Sequence, residues 1–205
     1  MDLQQLLALS SRDHSHLCPR QILGVRIGLA GMKALGFHEL PKKKQLLVIL
    51  ETDGCFVDGV IAATGCTVGH RTLRVEDYGK VAATFVDTTT GQAVRVAPAL
   101  DVREKAYVYA PDEPRHYFAQ MRAYQIMPDE EMFTFTSVAL NTSIEGIISH
   151  PGVRVNCGLC GEEIMNEREI YQSGLTLCRS CAGDGYFDRD IPLSQAKLVT
   201  ILLQG

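Results

Sequence analysis

Two Cys-x-x-Cys pairs constrain this chain more than any other feature. Cys157-x-x-Cys160 is followed by 17 residues and then by Cys178-x-x-Cys181. Two residues between cysteines make a tight knuckle whose thiolates converge on one ion, and the overall spacing is that of a four-cysteine zinc site. Four thiolates leave no open coordination position, so the zinc is expected to be structural rather than catalytic. A segment this short lacks an adequate core without such a staple.

Within the insert, Glu169-Ile170-Tyr171 and Leu175-Thr176-Leu177 read as hairpin arms around Ser173-Gly174, and the second cysteine pair is expected to open a short helix. That order of knuckle, hairpin and helix resembles a treble-clef zinc finger, here over residues 153–190. Glu162, Glu163, Glu167, Glu169 and Asp184 stand against Arg168 and Arg179 in the module, and the whole chain carries a formal charge of −4. Both argue against a nucleic-acid partner. Seven cysteines, four of them in metal spacing, point to reduced thiols and a cytoplasmic protein. No apolar run approaches the roughly 20 residues of a membrane span, and the first residues read as a short amphipathic helix rather than a signal peptide.

The remainder reads as an α+β domain over residues 1–150. Ile22, Val25, Leu29 and Met32 recur at helical spacing between Pro19 and Gly36. Gly24, Gly28 and Gly31 in that helix predict a backbone packed close against it, since each glycine costs about 1 kcal/mol there relative to alanine. Residues 45–50 form a continuous apolar run, expected to be a strand buried on both faces. A helix is predicted over 56–64, a hairpin over 80–87 and 92–97, a strand over 104–110, a helix over 112–126 and a strand over 132–140. Without regular βαβ alternation, the sheet is expected to be mixed or antiparallel. The apolar tail over 191–205 is expected to dock on the core or on a partner subunit.

Three cysteines remain, each beside groups capable of chemistry. His14 and His16 precede Cys18-Pro19 at the mouth of a helix; Cys55 follows Asp53 at the start of the next; Cys66 lies between Thr64 and His70. A helix N-terminus lowers the pKa of a nearby thiol. If these groups converge, they make a soft metal site or a nucleophile site.

His14-Ser15-His16-Leu17-Cys18-Pro19 with the glycine-rich helix, Asp53-Gly54-Cys55-x-x-Asp58, and Thr64-Gly65-Cys66-Thr67-x-Gly69 occur here in order. Together they resemble the E-subunit family of formylmethanofuran dehydrogenase, many members of which carry a C-terminal zinc finger. The resemblance implies a cleft lined by His16, Cys18, Asp53, Cys55 and Cys66, with His14, Asp58, Thr64, Thr67 and His70 near it. Family members often have Gly between the two histidines and Lys near position 70, where this chain has Ser15 and His70. The parent complex reduces carbon dioxide onto a one-carbon carrier at a molybdenum or tungsten pterin centre held by other subunits.

Three functions follow as expectations. The cleft binds a second metal or a small anionic cofactor in an accessory protein. Alternatively, His16 serves as base to a Cys18 or Cys55 nucleophile in a small-molecule enzyme. Or the chain has an assembly role, as a homodimer or as one member of a larger complex.

Overall fold

In the computed structural model, the described residues are 1–187 except Asp13, Ser15, Lys43 and 149–151. The chain divides into two compact units, Met1–Ser149 and His150–Gly205. The tail over 191–205 lies outside the described residues.

The first unit is built on a five-stranded sheet. Its strands are β1 (Leu46–Leu50), β2 (Leu73–Val75), β3 (Ala83–Asp87), β4 (Ala93–Pro98) and β5 (Phe133–Ser137), in the order β2-β1-β3-β4-β5. β2 runs parallel to β1, with Val48 opposite Leu73; the other neighbours are antiparallel. The sheet is therefore mixed and the class is α+β, as the sequence predicts. β1 is buried on both faces. Leu46, Val48 and Leu50 join the main core, while Leu47 on the opposite side packs with Val86, Ala93 and Ile147. Ile147 belongs to α7 (Ile144–Ile148), a short helix that the sequence reading missed along with β2.

The main face carries α1 (Leu3–Ser10), α2 (Pro19–Ala34), α3 (Cys55–Thr64), α4 (Val102–Tyr109), α5 (His116–Ile126) and the single turn α6 (Asp129–Met132). The strand predicted over 104–110 is instead part of α4. Ala106, Val108 and Ala110 alternate like a strand, but Val102 and Ala106 are the buried residues, at helical spacing, and Val108 is exposed. An Asp101–Lys105 ion pair of 3.2 Å lies along the same helix.

α2 and α3 pack closely, and glycine makes this possible. A Cβ on Gly24 would sit 2.3 Å from the Phe56 carbonyl oxygen, and one on Gly28 would sit 2.6 Å from the Ala63 Cβ. Across the contact, a Cβ on Gly59 would sit 2.3 Å from the Gln21 carbonyl oxygen. The paired positions advance together along both helices, so the helices run parallel and their N-termini share one end. Gly31 makes the same kind of room for the Phe85 ring.

Two further contacts fix this end. Gln21 is fully buried; its side-chain oxygen accepts from the Cys18 N–H at 2.8 Å, and its amide donates to the Ser10 carbonyl at 2.9 Å. Arg26 donates to the carbonyls of Tyr124 and Met127, both at 2.7 Å, and to Asp129 Oδ1 at 2.8 Å, which holds the end of α5 against α2.

In the second unit, β6 (Arg154–Asn156) pairs with β7 (Glu163–Met165), and β8 (Ile170–Gln172) with β9 (Leu175–Leu177), both antiparallel. The helix expected after Cys178 is a run of turns among the described residues, closed by Ala182 N–H to the Cys178 carbonyl at 3.0 Å and Asp184 N–H to the Arg179 carbonyl at 2.9 Å. Glycines at 183 and 185 weaken a helix there.

Gly59→Ala is expected to destabilise the protein by about 2 kcal/mol, because a methyl group meets backbone that cannot move aside cheaply. Urea denaturation measures it, set beside Gly69→Ala, where an added Cβ meets nothing within 4 Å. Equal losses in the two variants would contradict the close-packing account.

Candidate functional site

The parallel packing of α2 and α3 puts Cys18, the N-cap of α2, beside Cys55, the first residue of α3. The Cys18 thiol is near enough to act on that of Cys55. A cavity of about 310 Å³ opens at this point, lined by both cysteines and by Arg20, Arg103, Tyr117 and Tyr124 among others. The Tyr117 hydroxyl donates to the Leu17 carbonyl at 3.3 Å, and its pKa is raised by burial and by the charges of the two thiols.

Burial raises the Cys55 pKa, and the neighbouring Cys18 thiol adds to the rise through its hydrogen bond and its charge. The backbone at the helix start pulls the other way and is outweighed. The sequence expectation of a thiolate at this helix start is therefore not met at Cys55.

His14 and Asp58 extend the constellation. His14 Nε2 lies 2.9 Å from Asp58 Oδ2, at a second cavity of about 170 Å³ lined by Arg12, Ser10 and Ile61. Asp58 sits one turn after Cys55, close enough for its charge to raise the thiol further. His16 is exposed in the segment between α1 and α2, and Asp53 is exposed just ahead of Gly54.

The remaining residues gather at the opposite end of α3, about 15 Å away by helical rise. Cys66 is buried, with its Sγ 3.6 Å from the Leu46 carbonyl oxygen; burial raises its pKa against hydrogen bonds from Thr64 and Thr72. Thr64 donates to the Val60 carbonyl at 2.7 Å, and Thr67 Oγ1 lies 2.8 Å from His70 Nδ1. The structure thus brings Cys18, Cys55, Asp58 and His14 to one end and leaves Cys66, Thr64, Thr67 and His70 at the other.

Sequence reasoning missed Arg20, Arg103, Gln120 and the two tyrosines. Tyr117, Gln120 and Tyr124 recur at helical spacing on α5 and face the cavity together. That periodicity was readable, but nothing local ties it to cysteines some hundred residues earlier.

In the second unit the four cysteines do converge. One sulfur from each of Cys157, Cys160, Cys178 and Cys181 lies within 4.8 Å of all the others, the one such group among the described residues. The Cys160 and Cys178 sulfurs are 3.9 Å apart. A tetrahedral ion with bonds of about 2.3 Å has sulfur–sulfur edges of about 3.8 Å, so the geometry fits a metal ion. Backbone N–H groups from Cys160 and Cys178 lower the Cys157 pKa to about 6, favouring the thiolate a metal needs.

The fold and sites define a mixed α+β protein with a thiol-lined cavity where two helices begin, joined to a module whose four cysteines have the geometry to hold a metal ion. The family model described as FmdE, Molybdenum formylmethanofuran dehydrogenase operon, matches residues 14–134, more than half of the chain. The chain belongs to that family, as its three N-terminal motifs indicate. A tungsten formylmethanofuran dehydrogenase E-subunit-like (FmdE-like) protein from Syntrophus aciditrophicus shares the fold, with a TM-score of 0.60 and 23% identity over 92% of this chain and 96% of that one. A probable S-adenosyl-L-methionine-binding protein from Archaeoglobus fulgidus is 39% identical over 97 residues, which is 46% of this chain and 26% of the relative. The chain thus matches about a quarter of that relative's length. No helix among the described residues is long and apolar enough to cross a membrane.

Two outcomes follow. A raised pKa leaves less thiolate at neutral pH, so Cys55 and Cys66 should alkylate more slowly than free cysteine at pH 7.5 and gain rate only as pH climbs past the usual thiol range; mass-spectrometric peptide mapping reads both, and faster reaction at Cys55 would refute the burial account. Cys178→Ser should abolish metal binding by the second unit and the amide-exchange protection of β6–β9, while the first unit keeps its fold; retained metal in elemental analysis would count against the four-thiolate site.

Proposed function

We propose that this chain is an accessory, ligand-binding member of its family, whose cleft at Cys18 and Cys55 holds a small anionic cofactor or a metal for one-carbon chemistry at a molybdenum or tungsten enzyme. The observation that carries the reading is the convergence of Cys18 and Cys55, from two parallel helices, on a cavity that Arg20 and Arg103 also line. His14 and Asp58 form the adjoining part of the site. Binding fits the geometry better than nucleophilic catalysis does, because burial keeps Cys55 a thiol at neutral pH. The archaeal relative's name is that of a small-molecule-binding protein, which supports a binding role without carrying its ligand over.

The same reading assigns residues 1–150 to the core domain and 153–190 to a treble-clef finger. The finger's ion is zinc, which suits four thiolates and supplies folding energy rather than reactivity. The protein works as a homodimer or as one member of a larger complex. Seven free cysteines suit a reducing, cytoplasmic setting.

Native mass spectrometry and elemental analysis of the protein taken from the cells that make it should find a bound organic species or a metal beyond the finger's zinc. The Cys18→Ser/Cys55→Ser double variant should lose it while keeping its circular dichroism spectrum. Identical bound content in the two proteins would overturn the reading.

A further inference from the structure

The cavity beside Cys18 and Cys55 contains hydrogen-bonding groups that the fold itself leaves unused. Tyr124 is 1% exposed and lines the cavity, and its hydroxyl makes no hydrogen bond among the described residues. A phenol so buried ordinarily finds a partner. Burial pushes its pKa up to about 12, so it stays a donor at neutral pH. Arg103 lies close enough for its charge to act on that phenol; Glu104, the next residue, acts on it in the opposite sense. Neither Arg103 nor Arg20 has an ion-pair partner among the described residues.

Two tyrosines of α5 line the cavity. Tyr117 and Tyr124 are seven residues apart on α5, about 10 Å by helical rise. Tyr117 feels the charges of Cys18 and Cys55, while Tyr124 feels that of Arg103. Leu23, Val81 and the tyrosine rings supply apolar wall. At about 310 Å³ the space is at the small end of the roughly 300–1,000 Å³ of ligand pockets.

We propose that this cavity takes a small organic oxyanion, a carboxylate or phosphate monoester on an apolar or aromatic body, with Arg103 and Tyr124 binding the anionic head and the body directed toward the two thiols. This rests on the cleft being the binding site and adds the chemistry of what enters it. A guanidinium and a hydroxyl donate to an oxyanion and have nothing to accept from a cation. Arg20, two residues after Cys18, adds a second guanidinium to the lining.

Nuclear magnetic resonance titration of the full chain with phenyl phosphate, benzoate, benzyl alcohol and benzamidine tests it. These share a ring and differ in the charge on the head. At least one of the two oxyanions should bind about ten-fold more tightly than benzyl alcohol, and benzamidine should bind no better than the alcohol. The shifted resonances should be those of Leu23, Tyr117 and Tyr124, and whichever of the two anions binds more tightly distinguishes phosphate from carboxylate. Arg103→Gln, on the surface, should remove the ten-fold preference and leave benzyl alcohol binding unchanged; Tyr124→Phe should reduce it by several-fold. Equal affinity for benzamidine, an unchanged preference in Arg103→Gln, or shifts confined to other surfaces would each overturn the proposal. A species lost with Cys18 and Cys55 in the native mass spectra, alongside no preference for oxyanions, would sink this inference and leave the cleft reading standing.

Discussion

The contact between Gly24 and Gly59 is the constraint on which the first unit depends. Ordinary helices pack with axes 8–10 Å apart, separated by side chains. Here the missing side chains bring α2 and α3 backbone to backbone, and each glycine gives up about 1 kcal/mol of helix propensity. The return is positional. Parallel helices in such close contact start at the same place, so the N-cap of one and the first residue of the other become neighbours. Cys18 and Cys55, 37 positions apart in sequence, are side by side for that reason.

The same constraint explains why the constellation splits. α3 cannot present both of its ends to one site. Cys55 and Asp58 lie on its first turn, while Thr64 closes its last and Cys66 follows just beyond. The resemblance groups all of these because they are close in sequence, but ten helical residues hold the two sets about 15 Å apart. Within one chain, the Thr67–His70 pair and the buried Cys66 are the features of the far end, where Cys66 sits among core residues with the chemistry of a small hydrophobe.

How much of this could be read from the sequence depends on how local each signal is. β1, α2 and the β3–β4 hairpin carry their patterns within a few residues, and Pro19 and Gly36 mark the limits of α2, so these were legible. The cysteine spacing was legible because the knuckles are themselves local. β2 was not: three residues, Leu73–Val75, give too short a pattern, and what makes them a strand is parallel pairing with β1. α4 was misread because Ala106, Val108 and Ala110 satisfy period two while Val102 and Ala106 satisfy the helical period, and only burial distinguishes them. The cavity's far end was hidden for a related reason. Tyr117 and Tyr124 read as one face of a helix, and it is Arg26, bonded to the carbonyls of Tyr124 and Met127, that ties that face to α2.

The two sets of thiols show how environment divides one residue type between roles. Cys157 sits in a knuckle where backbone N–H groups aim at its sulfur, and its pKa falls to about 6. Cys55 also has a helix start behind it, but it is desolvated, beside a second thiol and one turn from a carboxylate, and its pKa rises. A helix N-terminus contributes roughly 0.3–1 kcal/mol near the surface, which burial and like charges exceed. Thiolates suit a metal, whereas neutral thiols at neutral pH suit the wall of a pocket whose charge comes from elsewhere. In this cavity the lining cations are Arg20 and Arg103, whose planar guanidinium groups suit oxyanions. Under the proposed reading those guanidinium groups hold the anion, and Cys55, kept a thiol by its surroundings, adds no opposing charge at neutral pH.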